Sequence, residues 1–149
     1  MPKGDAVAQP LKGRALVPGS AEGIALVAGQ PLSFWGGLDA ATGEIIDRRH
    51  PRSGAIVTGR VLVLPAGKGS STASAVLLDA IRAGTAPVAI ILLRPDPILA
   101  LGSIVADEMY GRSVPVVVLP PDAFATLCEG DRLAVHPDGS LTVSPTEGD

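Results

Sequence analysis

The run Pro87-Val88-Ala89-Ile90-Ile91-Leu92-Leu93 constrains this chain more than any other feature, because it is apolar without a break. A strand with no polar face must be covered on both sides, which is the condition of a parallel strand inside a layered sheet. Val114 to Leu119 is a second buried strand, and Gly59 to Pro65 reads as a third strand ahead of both. Between these strands lie two helical stretches. In the first, Ser70 to Ala83, Ala73, Val76, Leu77, Ala80 and Ile81 recur at i, i+3, i+4, i+7 and i+8, the stripe of an amphipathic helix. Ser70 or Ser71 can cap its start, and Gly84 suits its end. The second runs from Pro97 to Tyr110, with proline in its first turn and Gly111 after its last.

The flanks read differently. Gly13–Val17 and Gly23–Val27 are short strands between turn residues. A short helix is expected at Asp122–Cys128. Asp131–Val135 and Ser140–Val143 bracket Pro137-Asp138-Gly139, a hairpin signal. Pro31 to Pro51 shows no clean period and reads as loop. The βαβα section predicts a parallel sheet, and the hairpins predict a second β layer. The fold class is therefore α/β, a three-layer β/β/α sandwich. The 149 residues favour one domain, with loose ends at 1–10 and 144–149 and an ordered core of about 11–143. Aromatic residues are only 3% of the chain, so that core must rest on Val, Leu, Ile and Ala.

Charge narrows the partners. The net charge is −3 and there is no basic block, which argues against nucleic acid. No run of about 18 apolar residues is present, so no membrane span is expected. The start, Met1-Pro2-Lys3-Gly4-Asp5, lacks an apolar leader, and a lone Cys128 allows no internal disulfide; a cytoplasmic setting is expected. One thiol also cannot hold an iron–sulfur cluster or a thiolate zinc site.

The chemistry concentrates in Gly67-Lys68-Gly69-Ser70-Ser71-Thr72, between a strand and a helix. A helix N-terminus leaves about four N–H groups unpaired and carries roughly half a positive charge. Gly67 and Gly69 allow a sharp bend and close approach of a ligand. Three hydroxyls at such a start suit a carboxylate or phosphate. The bland reading is a serine-capped helix after a glycine turn. A nucleotide P-loop fails, because Gly69 rather than Ser or Thr follows Lys68 and the four-residue spacer is absent. The third reading is a carboxylate site with a serine in proton transfer, which needs more positive charge than Lys68 and the helix dipole supply.

Four segments together resemble the small subunit of the aconitase X family, a branch of the aconitase superfamily. They are Pro31–Gly37 with Thr42-Gly43 and Ile45-Ile46-Asp47; His50-Pro51; Gly67–Thr72; and Gly84–Pro87 with Asp96-Pro97-Ile98. The resemblance implies a swivelling β/β/α domain that closes over a larger catalytic subunit. That partner would carry the cysteines of an iron or iron–sulfur centre, and this chain alone would bind no metal. It also implies that Ser70 is the base that removes the substrate proton, with Ser71 helping to hold a carboxylate; Lys68, Gly69 and Thr72 are the turn's further candidates for binding a small anionic substrate. In aconitases proper an arginine follows the two serines. Thr72 stands there instead, which points away from citrate. Family members dehydrate cis-3-hydroxy-L-proline or phosphomevalonate, and the Ala- and Gly-rich composition tilts the expectation to the hydroxyproline. The rival reading of another class is a non-catalytic anion-binding or regulatory swivel module. A stand-alone serine hydrolase is disfavoured by the missing Gly-x-Ser-x-Gly elbow.

Other residues have plainer alternatives. Ser33 either binds substrate or satisfies local backbone. Trp35, the sole tryptophan, lines a pocket or interface or else plugs the core. Asp39, Glu44 and Asp47 suit turns better than a metal. His50 reads as surface or structural, His136 as solvent-facing, Asp96 as a helix cap, Asp107 and Glu108 as a solvated helix face, and Cys128 as buried and inert.

Overall fold

The computed structural model describes residues 10–67 and 72–144. In chain order the elements are β1 (Leu11–Lys12), β2 (Arg14–Val17), β3 (Ala21–Val27), α1 (Phe34–Gly37), β4 (Leu38–Asp39), β5 (Glu44–Ile45) and β6 (Val61–Leu64). Then follow α2 (Thr72–Ala83), β7 (Ala89–Leu92), α3 (Pro97–Tyr110), β8 (Val116–Val118), α4 (Pro121–Phe124), β9 (Arg132–Val135) and β10 (Ser140–Ser144). Eight strands hydrogen-bond in the order β1-β10-β9-β3-β6-β7-β8-β2.

The apolar runs sit where their patterns require. β3, β6, β7 and β8 pair in parallel, and every residue of β6 and β7 is buried. Period-two alternation divides those residues between two cores. Leu62, Leu64, Ile90, Leu92 and Val116 face the helices, packing with Leu77 and Ile81 of α2 and Leu99 and Ala106 of α3. Val61, Val63, Ala89, Ile91 and Val117 pack on Leu133, Val135 and Leu141 of the β9–β10 hairpin. Helices, parallel sheet and hairpin layer make the expected β/β/α sandwich.

β3 joins the two β layers. Its first half, Ala21–Ile24, pairs antiparallel with β9, and its second half, Ala25–Val27, pairs parallel with β6. The carbonyls at the change of partner are taken up by a side chain: Arg60 donates to Ile24 O (3.1 Å) and Ala25 O (2.9 Å). Glu129 then binds Arg60 (3.0 Å), Arg52 (3.1 Å) and the Val27 N–H (2.7 Å). Partial burial works against the charge on Glu129, but the Val27 N–H and the two guanidiniums outweigh it and hold the carboxyl below the ordinary glutamate range. A carboxylate with a lowered pKa adds stability that is fully present above its unfolded value and is lost as pH falls through the lowered one. Acid titration of folding should therefore show a shallower acid limb for Glu129→Gln than for the wild type; identical limbs would refute the linkage.

The helix ends follow their sequence signals. The Asp96 carboxylate accepts from Leu99 N–H (3.0 Å), and Gly111 closes α3 in the left-handed region at φ 67°. Several expectations change. The helix expected at Asp122–Cys128 is a single turn, α4. Cys128 is exposed rather than buried, because it lies beyond that turn in the loop before β9. His136 is half-buried, its ring nitrogen 2.8 Å from Thr142 Oγ1 across the β9–β10 hairpin. Within the expected loop 31–51, β4 and β5 form a small hairpin. There Asp39 and Asp47 accept from the N–H groups of Ala41 (2.9 Å) and Arg49 (3.0 Å), the turn roles expected of them. Asp107 and Glu108 are exposed. No helix among the described residues is long and apolar enough to cross a membrane.

Candidate active-site edge

Ligands of open α/β sheets bind outside the carboxyl ends of the parallel strands. Here three connections meet at that end: residues 28–37 after β3, 65–67 after β6 and 93–96 after β7. Backbone bonds tie them together. Leu32 forms a parallel bridge to Gly67, and its N–H donates to Ala66 O (3.3 Å). The N–H groups of Leu93 (3.2 Å) and Arg94 (3.0 Å) both donate to Pro65 O. Three segments distant in sequence thus form one edge around Gly67.

The turn Phe34–Gly37 is not regular helix. Trp35 is extended at ψ 115° and Gly36 takes φ 79°, a left-handed conformation open to glycine. The result is a split of neighbours: Phe34 is 1% exposed and fills the helix-side core, whereas Trp35 is 61% exposed. The core-plug reading of Trp35 is thereby corrected, since Phe34 takes that place. Ser33 Oγ donates to Trp35 O (3.0 Å), which serves the local turn.

Thr72 opens α2 at this edge and is half-buried. Lys68, Gly69, Ser70 and Ser71 lie outside the described residues, between Gly67 and Thr72. Gly67 itself does not have a positive φ. A β-carbon at residue 67 would meet Oδ2 of Asp96, the movable end of that side chain, with Cγ 3.3 Å away.

Beside Leu32 lies a polar cleft of about 270 Å³, lined by Gln30, Pro31, Asp47, Arg49 and His50. His50 is buried. Its Nδ1 accepts from Arg52 N–H (3.0 Å), so its Nε2 carries the proton and donates to Gln30 O (3.1 Å). Both ring nitrogens are used in joining two loops, which is the structural role. Sequence reasoning did not single out Arg49 or Arg94. Both are exposed at this edge and form no ion pair among the described residues. Nothing in their local sequence marks them, because only strand order brings them here. Among the described residues no three His, Cys, Asp or Glu side chains converge as metal ligands.

The model of the aconitase X swivel domain family matches residues 10–143. The chain belongs to the aconitase X swivel family. Relatives of this swivel domain agree with that assignment. It is 50% identical over 143 residues to a cis-3-hydroxy-L-proline dehydratase of Pseudomonas aeruginosa, covering 90% of this chain and 24% of that protein. It is 39% identical over 127 residues to a phosphomevalonate dehydratase small subunit of Methanosarcina acetivorans, covering 85% and 84%. The swivel domain therefore spans about a quarter of the hydroxyproline dehydratase and most of the phosphomevalonate subunit. Among solved structures, Thermococcus kodakaraensis aconitase X (holo-form) superposes with a TM-score of 0.81 at 35% identity, over 91% of this chain and 98% of that one.

Proposed function

We propose that this chain is the swivel component of an aconitase X-type hydro-lyase and that its substrate is cis-3-hydroxy-L-proline. The observation that carries the reading is the 50% identity to a hydroxyproline dehydratase across 90% of the chain. A second reading, phosphomevalonate dehydration, is favoured by size: the chain covers 84% and 90% of two phosphomevalonate dehydratase small subunits at 39% and 40% identity.

Dehydration needs a base for the proton beside the carboxylate and a place for the departing hydroxide. This chain supplies the base, the Ser70 oxygen. The α2 N-terminus, Ser71 and Lys68 would hold the substrate carboxylate and oppose the charge on the serine. Arg94 adds an exposed cation to the edge where Thr72 replaces the aconitase arginine. Ser33, Gly69 and Trp35 complete the substrate side, with Trp35 free to reach a partner. No three His, Cys, Asp or Glu side chains converge among the described residues, and in this reading the large aconitase X component holds the metal. There it would act as Lewis acid on the leaving hydroxyl, and no step on this chain passes through it.

The test is co-expression with that large component, followed by assay of water elimination from cis-3-hydroxy-L-proline and from phosphomevalonate. Turnover of the hydroxyproline is expected. Turnover of phosphomevalonate alone would overturn the substrate, and binding without turnover of either would favour the regulatory module.

A further inference from the structure

We propose that the polar cleft between Gln30 and the 47–50 turn is the subsite for the amino-acid end of the substrate, with Asp47 holding the ring ammonium and Arg49 a carboxylate oxygen; this rests on the reading of cis-3-hydroxy-L-proline as the substrate. The cleft measures about 270 Å³ and is lined by Gln30, Pro31, Asp47, Arg49 and His50. Clefts for drug-sized ligands begin at about 300 Å³, so this one suits a single small metabolite. It lies at the candidate active-site edge, because Pro31 adjoins Leu32, which bridges Gly67.

The frame of the cleft is fastened, while its charged groups are left unengaged. Buried His50 uses both ring nitrogens to join the two loops, through Gln30 O (3.1 Å) and Arg52 N–H (3.0 Å). Ile46 N–H donates to Gly37 O (2.8 Å), and His50 N–H closes the turn on Asp47 O (3.0 Å). Asp47 gives one carboxylate oxygen to that turn, where Oδ1 accepts from Arg49 N–H (3.0 Å). Among the described residues, Asp47 Oδ2, the Gln30 side-chain amide and the Arg49 guanidinium have no hydrogen-bond or ion-pair partner. A carboxylate, a cation and a neutral amide thus line one cleft without neutralising one another. In an α-amino acid the ammonium nitrogen and the carboxylate are bonded to the same carbon, so its recognition needs an acceptor and a cation side by side. Asp47 and Arg49, two residues apart in one turn, are such a pair. Opposite charges match a zwitterion, whereas a ligand with anionic groups alone gives Asp47 nothing to hold. Because the frame is already fastened, little further ordering is needed on binding. Arg49 joins the groups proposed at the start of α2 in holding the carboxylate.

The test uses the enzyme assembled with its large component. Asp47→Asn keeps the acceptor that the turn needs and removes the charge. It should raise KM for cis-3-hydroxy-L-proline about tenfold to 10²-fold, the range for a hydrogen bond to a charged group. Its kcat should stay within about twofold, with an unchanged melting temperature. Arg49→Gln should raise KM about tenfold as well. The control is cis-3-hydroxytetrahydrofuran-2-carboxylate, added as a competing ligand in which a ring oxygen replaces the ammonium. Asp47→Asn should not weaken its binding, whereas Arg49→Gln should weaken it as it weakens the substrate. A KM near wild type in Asp47→Asn would overturn the proposal. So would equal losses for both ligands in that variant, which is what a merely structural role predicts. If the assembly turns over only phosphomevalonate, or neither compound, the substrate reading has failed and the cleft is tested by itself. Amide NMR shifts of the full chain on adding cis-3-hydroxy-L-proline then decide: shifts at 30 and 47–50 that vanish in Asp47→Asn are expected, and their absence in the wild type refutes the subsite.

Discussion

Ser70→Ala should lower turnover of the assembled enzyme by about 10²- to 10⁴-fold, the range lost when a positioned acid–base group is removed. The case rests on residue type and location. A serine hydroxyl is a very weak acid, so it acts as a base only where its anion is held by fixed positive charge. The start of α2 at Thr72 provides amide donors and the positive end of a dipole. Lys68 is two residues away in sequence, and Arg94 stands exposed on the adjoining connection. The loss should fall on kcat with KM little changed, because the proton-transfer contact is made in the transition state. Stability should be nearly unaffected, so equal melting curves and equal assembly with the large component are the controls. Turnover near wild type would place the base on the large component and reduce this chain's part to holding the substrate.

How much of this was readable from sequence depends on the range of the interaction. The apolar runs at 61–64 and 89–92 and the stripe at Ala73, Leu77, Ala80 and Ile81 are local patterns, and they became β6, β7 and α2. Asp96 and Gly111 announced the ends of α3 because capping is satisfied within four residues. Cys128 and His136 were misjudged for the opposite reason. Their burial depends on where a short turn stops and on what lies across a hairpin. Trp35 and Phe34 show the limit most plainly: adjacent aromatics have opposite fates in a turn that leaves helical geometry at Trp35, and no helical period reports that. At the site, the closeness of Asp96 to Gly67 was not legible, since Asp96 is brought there by strand order rather than by sequence distance.

The helix layer gives the largest expected effect on stability. Gly102 lies inside α3, where local propensity alone would make Gly→Ala stabilising by about 1 kcal/mol. Tertiary packing reverses the sign. A β-carbon at 102 would press on the carbonyl oxygen of Ser74 in α2, and would stand 3.1 Å from Ser74 Cα and 3.2 Å from its carbonyl carbon. All three are backbone atoms, so no side chain can rotate away. The helices would have to part, loosening Leu77 and Ile81 from Leu99 and Ala106 over the sheet. Overpacking of this kind costs about 1–3 kcal/mol. Gly102→Ala should thus be destabilised by about 1 kcal/mol net, lowering the melting temperature by roughly 3 °C. Gly102→Leu should lose several times that. Ser74 is also two residues from Thr72, so movement of α2 reaches the start of the helix at which substrate binding is proposed. Gly102→Ala should accordingly lose turnover as well as stability, whereas Leu101→Ala, at the exposed neighbouring position, should change neither appreciably. Denaturant unfolding of the three variants decides the matter. A Gly102→Ala chain as stable as wild type would mean that α2 and α3 can separate at no cost, and that the close approach at Ser74 is not what fixes the helix layer.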